Sequence, residues 1–522
     1  MKLKKIIAAL LLGACLLAPV AAQQRQGGDL LFATFSDPLY FVPFMHADSA
    51  SSDVVTLMFS GLLKYDKDLK IVPNVAESYT VSPDSLTFTF KLRKGVLFHN
   101  GKEMTSRDVK VSYDLIRDPA VNSPRRSMFV DVAEITTPDP YTVVFRLSKV
   151  NGVFLNNMTA AYIVPADEIQ KYDKTKLKES DFARNPIGNG PFQFDSWLTN
   201  QRVVLKRFDK YWEGPVGFDR YVFLNKGNQA TAMVATQTGE TNRVMVPEAD
   251  VARMAAIPTL DLHRYVGNVF DAIIWNTVGE FTSDVRVRQA LSHAINKQAL
   301  VSGIYKGNGR VGVSSFIPGT PFYNAAAPSY NFNIARARQL LDEAGWRVGP
   351  DGIRVKDGKR MKLFMITNKG NIMREKILQY VQSAFKVVGV EVDAQILEWN
   401  TFLTKYVEVG RFDAYVGGFS TGLTADHSAF YHSEATPSGL GFLNRGKYAN
   451  KEVDELLVKI RGTADTAEQA RLAFRVQEIV GREVPYTFIV NRTQAYAYGK
   501  AVRNVLSVDL LGWFNPETSW IQ

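Results

Sequence analysis

Short alternating segments dominate the first half of the chain. Residues 86–92 and 141–147 place an apolar side chain at nearly every second position, which is the pattern of a half-buried β-strand. Further strands are predicted at 29–35, 192–197 and 202–207. The sequence up to residue 280 therefore predicts a strand-rich region.

Helical spacing replaces this alternation after residue 280. Val287 and Ala290 begin an apolar stripe for which Ser283 is the predicted N-cap. A second helix is expected between Asn333, which would cap its start, and Gly345, which would end it.

Residues 362–416 alternate strands with helices. The predicted order is strand, helix, strand, short helix and strand, at 362–366, 372–388, 390–397, 400–407 and 412–416. This order predicts a mainly parallel sheet with helices on its faces. A last helix at 466–480 precedes a strand at 486–490. The second half is therefore an expected α/β region, and 522 residues are too many for one hydrophobic core.

The N-terminus carries the pattern of an export signal. A basic stretch at 1–5 precedes an apolar run at 6–17, and small residues lead up to Ala22. We predict a signal peptide over residues 1–22 and a periplasmic mature protein. Cys15, the only cysteine, follows Leu12-Gly13-Ala14 in the manner of a lipidated cysteine, so a lipid anchor at Cys15 is the alternative.

Charge argues against nucleic-acid binding. The formal net charge is +10, but no five or six basic residues follow one another. Nucleic-acid-binding domains cluster their Lys and Arg residues on one face or along one helix. A dispersed surface charge is the better interpretation.

Two motifs suggest catalysis or metal binding. Ser420 lies in a Gly-x-Ser-x-Gly sequence at 418–422, but a glycine- and threonine-rich stretch follows where a hydrolase nucleophile elbow needs a helix. His427 and His432 have no established metal-ligand spacing and no cysteine beside them. We predict no enzyme, metal or cofactor, and keep a secreted hydrolase using Ser420 as the alternative from another class.

Five further segments form a recognisable set. They are residues 73–79, 91–101, 187–192, 284–291 and 340–346, in order along the chain. Together they resemble a family of extracytoplasmic solute-binding proteins that serve peptide and nickel ABC importers, the dipeptide- and oligopeptide-binding group.

The resemblance implies a fold that residue patterns alone do not show. This is an α/β, periplasmic-binding-protein type II-like fold, in which two lobes close on a ligand about hinge strands, with an extra inserted α+β domain. Domain I would take 23–60, 187–283 and 496–522, domain II 61–186, and domain III 284–495. Ligand would lie between domains I and III.

The same resemblance implies where ligand is bound. Asp426, in its Ala425-Asp426 context, matches the carboxylate that pairs with a peptide's ammonium group in relatives. The preceding strand runs into Gly417, Gly418 and Phe419, an expected edge for a peptide backbone, where glycine would let a ligand approach.

Other ligand-binding positions follow from the resemblance. They are Thr424, Trp399 and Phe488 in domain III, and His46 and Asp48 in a domain I loop. Leu423 stands where relatives have an aromatic residue, which leaves the side-chain preference of the site open.

The predicted function is the substrate-binding component of an ABC importer. It would act as a monomer that captures di- to oligopeptides and delivers them to membrane permease subunits. Within the same fold the ligand is open: a nickel chelate held by His46, His427 or His432, glutathione, haem or an oligosaccharide. A chaperone-like binder of unfolded chains, without lobe closure, is a further alternative.

Overall fold

The computed structural model describes residues 27–46, 48–214, 216–399, 401–434, 443–513 and 517–522. The predicted signal peptide, its cleavage site and Cys15 lie outside these described residues. Within them, every helix is too short or too polar to span a lipid bilayer.

The fold begins with β1 (Asp29–Thr34) and α1 (Ser49–Met58). Asp48 is the N-cap of α1, and its Oδ1 accepts a hydrogen bond of 2.7 Å from the Ser51 N–H. One face of α1 is buried in the core, whereas Asp53 lies on the exposed face.

The predicted inserted domain, residues 61–186, contains an antiparallel sheet of its own. Its strands and helices are β2 (Leu63–Tyr65), β3 (Ile71–Pro73), β4 (Ala76–Val81), β5 (Thr87–Leu92), α2 (Ser106–Arg117), β6 (Val132–Asp139), β7 (Thr142–Leu147), α3 (Phe154–Met158) and α4 (Ala166–Ile169). The order β4-β5-β7-β6 makes an antiparallel sheet. Its core is continuous with the core around β1, so the inserted domain and the first lobe form one body.

Residues 187–283 complete the first lobe. Its elements are β8 (Phe192–Leu198), β9 (Arg202–Arg207), β10 (Arg220–Asn225), α5 (Gln229–Gln237), β11 (Arg243–Val246), α6 (Val251–Ala255) and β12 (Leu260–Trp275). β1 pairs in parallel with β10 and β11, and β9 and β8 extend the sheet antiparallel. The strands predicted at 192–197 and 202–207 are confirmed as β8 and β9.

The second lobe begins with α7. The elements from there are α7 (Val285–His293), α8 (Lys297–Gly303), β13 (Gly309–Val311), α9 (Ile334–Glu343), β14 (Arg347–Val348), β15 (Arg354–Lys356), β16 (Lys359–Arg360), β17 (Lys362–Asn368), α10 (Ile372–Val387), β18 (Glu391–Leu397), a π-helix (Thr401–Val407), β19 (Ala414–Ser420), α11 (Ser428–Tyr431), α12 (Lys451–Arg461), α13 (Thr466–Glu483) and β20 (Tyr486–Gly499). The chain then returns to the first lobe as β21 (Val502–Arg503), β22 (Ser507–Val508), β23 (Gly512–Trp513) and β24 (Trp520–Ile521).

Three sequence-based expectations need correction. The N-cap of α7 is Asp284, whose side chain accepts from the Arg286 N–H, and not Ser283. The sheet of the second lobe is mixed: β17 is parallel to β18 and β19, but β19 is antiparallel to β12. The strand predicted at 486–490 continues as β20 to Gly499. The exact domain boundaries stay a prediction.

Two long strands join the lobes. β12 and β20 pair antiparallel, with Leu260 opposite Gly499 at one end and Ile274 opposite Tyr486 at the other. In the first lobe β20 also pairs with β11, and in the second lobe β12 also pairs with β19. One continuous sheet therefore runs through both lobes, in the order β18-β17-β19-β12-β20-β11-β1-β10-β9-β8.

The pairing of the two strands is interrupted near their middle. Val266 lies opposite Thr493, and the next pair is Phe270 with Asn491. An extra stretch of one strand locally disrupts the hydrogen-bond ladder and bends that strand. We call this point the hinge, because the interrupted ladder holds the two strands together less firmly here than along their paired stretches.

Buried charges flank the interruption. Asp271, 1% exposed, accepts hydrogen bonds from Arg374 Nε at 3.1 Å and from the Tyr305 hydroxyl at 2.8 Å. Arg492 on the facing strand lies 2.5 Å from a Glu248 carboxylate oxygen in the first lobe and 3.9 Å from Asp271. Arg492 thus connects carboxylates on both sides of the hinge.

The inserted domain also contacts the second lobe. The Gly152 N–H donates to the Arg461 carbonyl oxygen at 2.6 Å, and the Gln469 amide donates to the Gly152 carbonyl oxygen at 3.1 Å. A Cβ at Gly152 would lie 1.6 Å from the Thr463 carbonyl oxygen, so this approach requires glycine.

An ion-pair triad reinforces this contact. Arg461 Nη1 lies 2.7 Å from Asp426 Oδ2, and its Nη2 lies 3.4 Å from Asp131 Oδ2 on the inserted domain. The side chains of Arg461, Asp426 and Asp131 are 16%, 10% and 6% exposed, so solvent screens their attraction weakly.

We predict that Gly152→Ala weakens the contact between the inserted domain and the second lobe. The added methyl group has no space, which should lower the free energy of unfolding by about 1–3 kcal/mol. Gly303→Ala is the matched control, because open space surrounds a Cβ at this helical position and alanine should be neutral or stabilising by about 0.5–1 kcal/mol. Urea unfolding measures both, and equal effects would contradict the packing argument.

We also predict that Arg461→Met is strongly destabilising. Its loss leaves Asp426 and Asp131 buried without this counter-ion, which should cost about 3 kcal/mol in the free energy of unfolding. Arg471→Met removes an exposed partner of Glu468, where solvent screens the attraction, and should lower the free energy of unfolding far less. Chemical denaturation of both variants is the measurement, and a loss at Arg461 no larger than that at Arg471 would show that the triad is unimportant.

Candidate ligand-binding site

A cavity of about 950 Å³ lies at the hinge between the lobes. Its walls come from β1 and the loop that follows, the start of α1, the hinge parts of β12 and β20, and Ser420 at the end of β19. This volume is near the upper end of the range of small-molecule pockets, about 300–1,000 Å³. The cavity therefore has room for a ligand larger than a single amino acid.

Aromatic rings form one wall of the cavity. Tyr265 of β12 and Tyr496 of β20 lie nearly parallel, with 6.2 Å between their ring centroids, and Phe32 of β1 is beside them. Arg243 packs 4.1 Å from the Phe32 ring and 4.6 Å from the Tyr496 ring, and it donates to the Tyr221 hydroxyl. The buried guanidinium holds these rings by cation–π contacts.

His46 and Arg125 line a second wall. His46 is 4% exposed, and its Nε2 accepts a hydrogen bond of 2.9 Å from Arg125 Nη2. Burial, helped by the neighbouring guanidinium, lowers the pKa of His46 to about 4. His46 is therefore neutral at pH 7, and Arg125 is the positive charge of this wall.

Three carboxylates line the cavity, and two of them have partners within the protein. Asp37 accepts a hydrogen bond of 3.1 Å from the Trp197 indole, and Asp48 caps α1. For Asp53 the described residues supply neither a hydrogen bond nor an ion pair to the carboxylate. Asp53 is solvent-exposed at the cavity wall. Desolvation by the surrounding protein raises its pKa to about 6, against the opposing attraction of Arg243.

Asp426 lies outside the described lining of the cavity. Its Oδ1 accepts hydrogen bonds from the Ser428 N–H at 3.0 Å and from the Ser428 hydroxyl, and its Oδ2 pairs with Arg461. The charge of Asp426 is thus already balanced in this conformation. Its predicted role as the anchor of a ligand ammonium group stays a prediction.

Close contacts within the protein explain why β19 has glycine at positions 417 and 418. A Cβ at Gly418 would lie 2.2 Å from Asp271 Oδ1 and 2.5 Å from Arg374 Nη2, so the hinge ion pair fills the space expected for a ligand. Gly417 is opposite Ala272 on β12, and a Cβ there would meet the Tyr415 ring. Contacts within the protein thus account for glycine at both positions, and the predicted role of Gly417 and Gly418 in ligand binding stays a prediction.

The remaining predicted positions of the second lobe also lie outside the described lining. The Phe419 and Phe488 rings pack against Phe270 in the core, and Phe488 is 5% exposed. Thr424 accepts a hydrogen bond at its Oγ1 from the Asp426 N–H, and Trp399 is 52% exposed. Their roles in binding stay predictions, whereas the structure brings the predicted His46 and Asp48 to the cavity.

The catalytic and metal alternatives find little support in the geometry. Ser420 lines the cavity, but His427 is buried behind it, bonded to Ser315 at 2.7 Å and stacked on Phe316. Burial lowers the pKa of His427 to about 4. In the part of the chain that the structure describes, no three His, Cys, Asp or Glu side chains are grouped to hold a metal ion.

Sequence analysis missed several lining residues. Asp53 has the appearance of a solvent-facing residue on an amphipathic helix, and nothing in its spacing distinguishes it. Tyr265, Gln494 and Tyr496 lie in strands whose hinge segments do not alternate cleanly. The polar residues 491–494 interrupt an otherwise apolar strand, and this interruption is the sequence signal that could have located this part of the cavity lining.

Comparisons with known proteins agree with this geometry. The profile of "Bacterial extracellular solute-binding proteins, family 5 Middle" matches residues 70–441. The oligopeptide-binding protein AppA of Bacillus subtilis is 30% identical over 478 residues, 90% of this chain and 87% of that protein. The glutathione-binding protein GsiB of Escherichia coli O157:H7 is 27% identical over 504 residues, 94% of this chain and 93% of its own.

A solved structure shows the same likeness in three dimensions. Bacillus subtilis AppA in complex with a nonapeptide matches with a TM-score of 0.84 at 29% identity, over 96% of this chain and 100% of that one. The α/β fold of two lobes predicted from the sequence is confirmed. Because the family profile covers well over half of the residues, this chain belongs to the bacterial extracellular solute-binding proteins of family 5.

Proposed function

We propose that the protein is the substrate-binding component of an ABC importer and that it captures peptides between its lobes. The observation that carries this proposal is the cavity of about 950 Å³ at the hinge, walled by both crossing strands. A ligand there contacts the parts of β12 and β20 that must bend when the lobes move. Ligand binding therefore acts on the same strand segments that bend when the lobes move.

The chemistry of the walls suits a peptide. Tyr265, Tyr496 and Phe32 offer apolar surface with polar edges, and Asn268 and Gln494 offer amide donors and acceptors beside them. Peptide backbones need such groups, while side chains of varied size need apolar surface. The relatives support this choice, since AppA binds a nonapeptide in its solved structure.

The remaining parts of the proposal follow from the family. An extracellular receptor must release its ligand to a membrane permease, so we expect permease subunits as partners and a monomer that meets them. Export through the segment 1–22 to the periplasm, or a lipid anchor at Cys15, completes the expected arrangement. We expect no hydrolytic activity and no nucleic-acid binding.

Ligand binding should close the lobes. A peptide that contacts both lobes binds the closed state preferentially and shifts the population towards it. Small-angle scattering with a mixture of tri- to nonapeptides should therefore show a smaller radius of gyration. The melting temperature should also rise, since ligand at about 100 times Kd stabilises the folded state by about 2.7 kcal/mol. An unchanged radius at saturation would refute closure.

Ser420→Ala should leave peptides intact to the same degree as the wild type. Ser420 has no hydrogen-bonded base among the described residues, so it lacks the group that would remove its proton. Incubation of both proteins with the same peptide mixture, followed by mass spectrometry, is the measurement. Cleavage by the wild type that disappears in Ser420→Ala would favour the hydrolase.

A further inference from the structure

We propose that Asp53, on α1 of the first lobe, is the acceptor for a positively charged group of the ligand. The proposal rests on the proposed function and assigns a residue of the cavity to one part of the ligand. Such a group is the ammonium of a peptide's amino terminus or of a basic side chain, which share the same chemistry.

The first argument is the contrast among the cavity's carboxylates. Asp37 accepts a hydrogen bond from the Trp197 indole, and Asp48 accepts one from the Ser51 N–H at Oδ1, whereas its Oδ2 has no hydrogen-bond partner among the described residues. Among the described residues no donor reaches the Asp53 carboxylate, although Asp53 lines the same cavity. Asp53 is exposed to the cavity, so a ligand cation can pair with its carboxylate without displacing a protein donor.

The second argument is the charge of the cavity as a whole. Among the described lining residues, three carboxylates stand against the guanidinium of Arg125, since His46 is neutral at pH 7, and the guanidinium of Arg243 lies behind the aromatic rings. The protein as a whole carries a formal charge of +10. A negative cavity in a positive protein selects cations locally, because walls of low dielectric concentrate the field inside the cavity.

The third argument is the neighbourhood of Asp53. It has Asp48 on the same helix, and the Arg243 guanidinium, which interacts with it through space, is held behind Phe32 and Tyr496. Aromatic rings next to a carboxylate add cation–π attraction for a ligand ammonium group.

Asp426 is the rival for this role, and its surroundings differ. Its carboxylate is paired with Arg461 at 2.7 Å and holds the contact between the second lobe and the inserted domain. A ligand ammonium group there would compete with a guanidinium already in place. At Asp53 no such partner has to be displaced.

The test compares three variants: Asp53→Asn, Asp426→Asn and Asp195→Asn. Asp195 is an exposed carboxylate of β8 outside the cavity lining, so its loss controls for removing one negative charge from the first lobe. The probes are peptides of three and of nine residues made from Ala, Gly and Ser, each with a free or an acetylated amino terminus. An acetylated peptide with one central Lys separates the side-chain source from the terminal source.

We expect the wild type and Asp195→Asn to bind charged peptides at least about tenfold more tightly than neutral ones, in calorimetry at pH 7.5. Asp53→Asn should bind the charged and the neutral peptides equally. In the wild type, the preference for charged over neutral peptides should also weaken as the pH falls through about 6, because Asp53 then takes up a proton. A preference that survives in Asp53→Asn but is lost in Asp426→Asn would overturn the proposal in favour of its rival.

Two readouts separate failure of the proposal from failure of the proposed function. If no peptide binds the wild type, the peptide function fails, and millimolar ethylenediamine then tests Asp53 alone. It should raise the melting temperature of the wild type but not that of Asp53→Asn, and equal shifts would overturn the proposal.

Discussion

The antiparallel pairing of β12 with β20 is the constraint on which the rest of the structure depends. It carries one sheet through both lobes, and its interruption between Val266 and Phe270 is where the strands can bend. The cavity lies at this interruption, where Asn268 and Val269 of β12 form part of its lining. Asp271 and Arg492 occupy the same stretch, so the bend is bounded by charges that must keep partners on both sides.

Individual helices and strands were largely predictable, because the apolar pattern and capping residues of each lie within its own stretch of sequence. The helix predicted at 372–388 is α10, and Asn333 caps α9 as its side chain requires. The extent of β20 was not predictable, since the polar residues 491–494 end the apolar pattern while backbone pairing continues to Gly499. The antiparallel pairing of β19 with β12 was also not predictable. The two strands are more than 100 residues apart in the sequence, so their pairing leaves no local pattern.

Residues of the cavity wall were predictable only where the family resemblance reached them, and their roles in ligand binding stay predictions. His46 and Asp48 belong to the cavity, and a motif position was enough to find them. The partner of Asp426 could not be inferred, because Arg461 lies 35 residues further along and Asp131 belongs to another domain. Asp53 was missed because an unpaired carboxylate in a cavity and a solvated one on a helix surface have the same sequence signature.

The positions of the first and last described residues decide where fluorophores can report lobe movement. A Cβ at Gly28 would lie 3.0 Å from the Ile521 side chain, so the described chain leaves the first lobe from nearly the same point at both ends. Fluorophores fused at the two ends would keep a constant separation whatever the second lobe does. A distance sensor instead needs one dye on the second lobe, for which the exposed face of α12 around Val458 offers an attachment point.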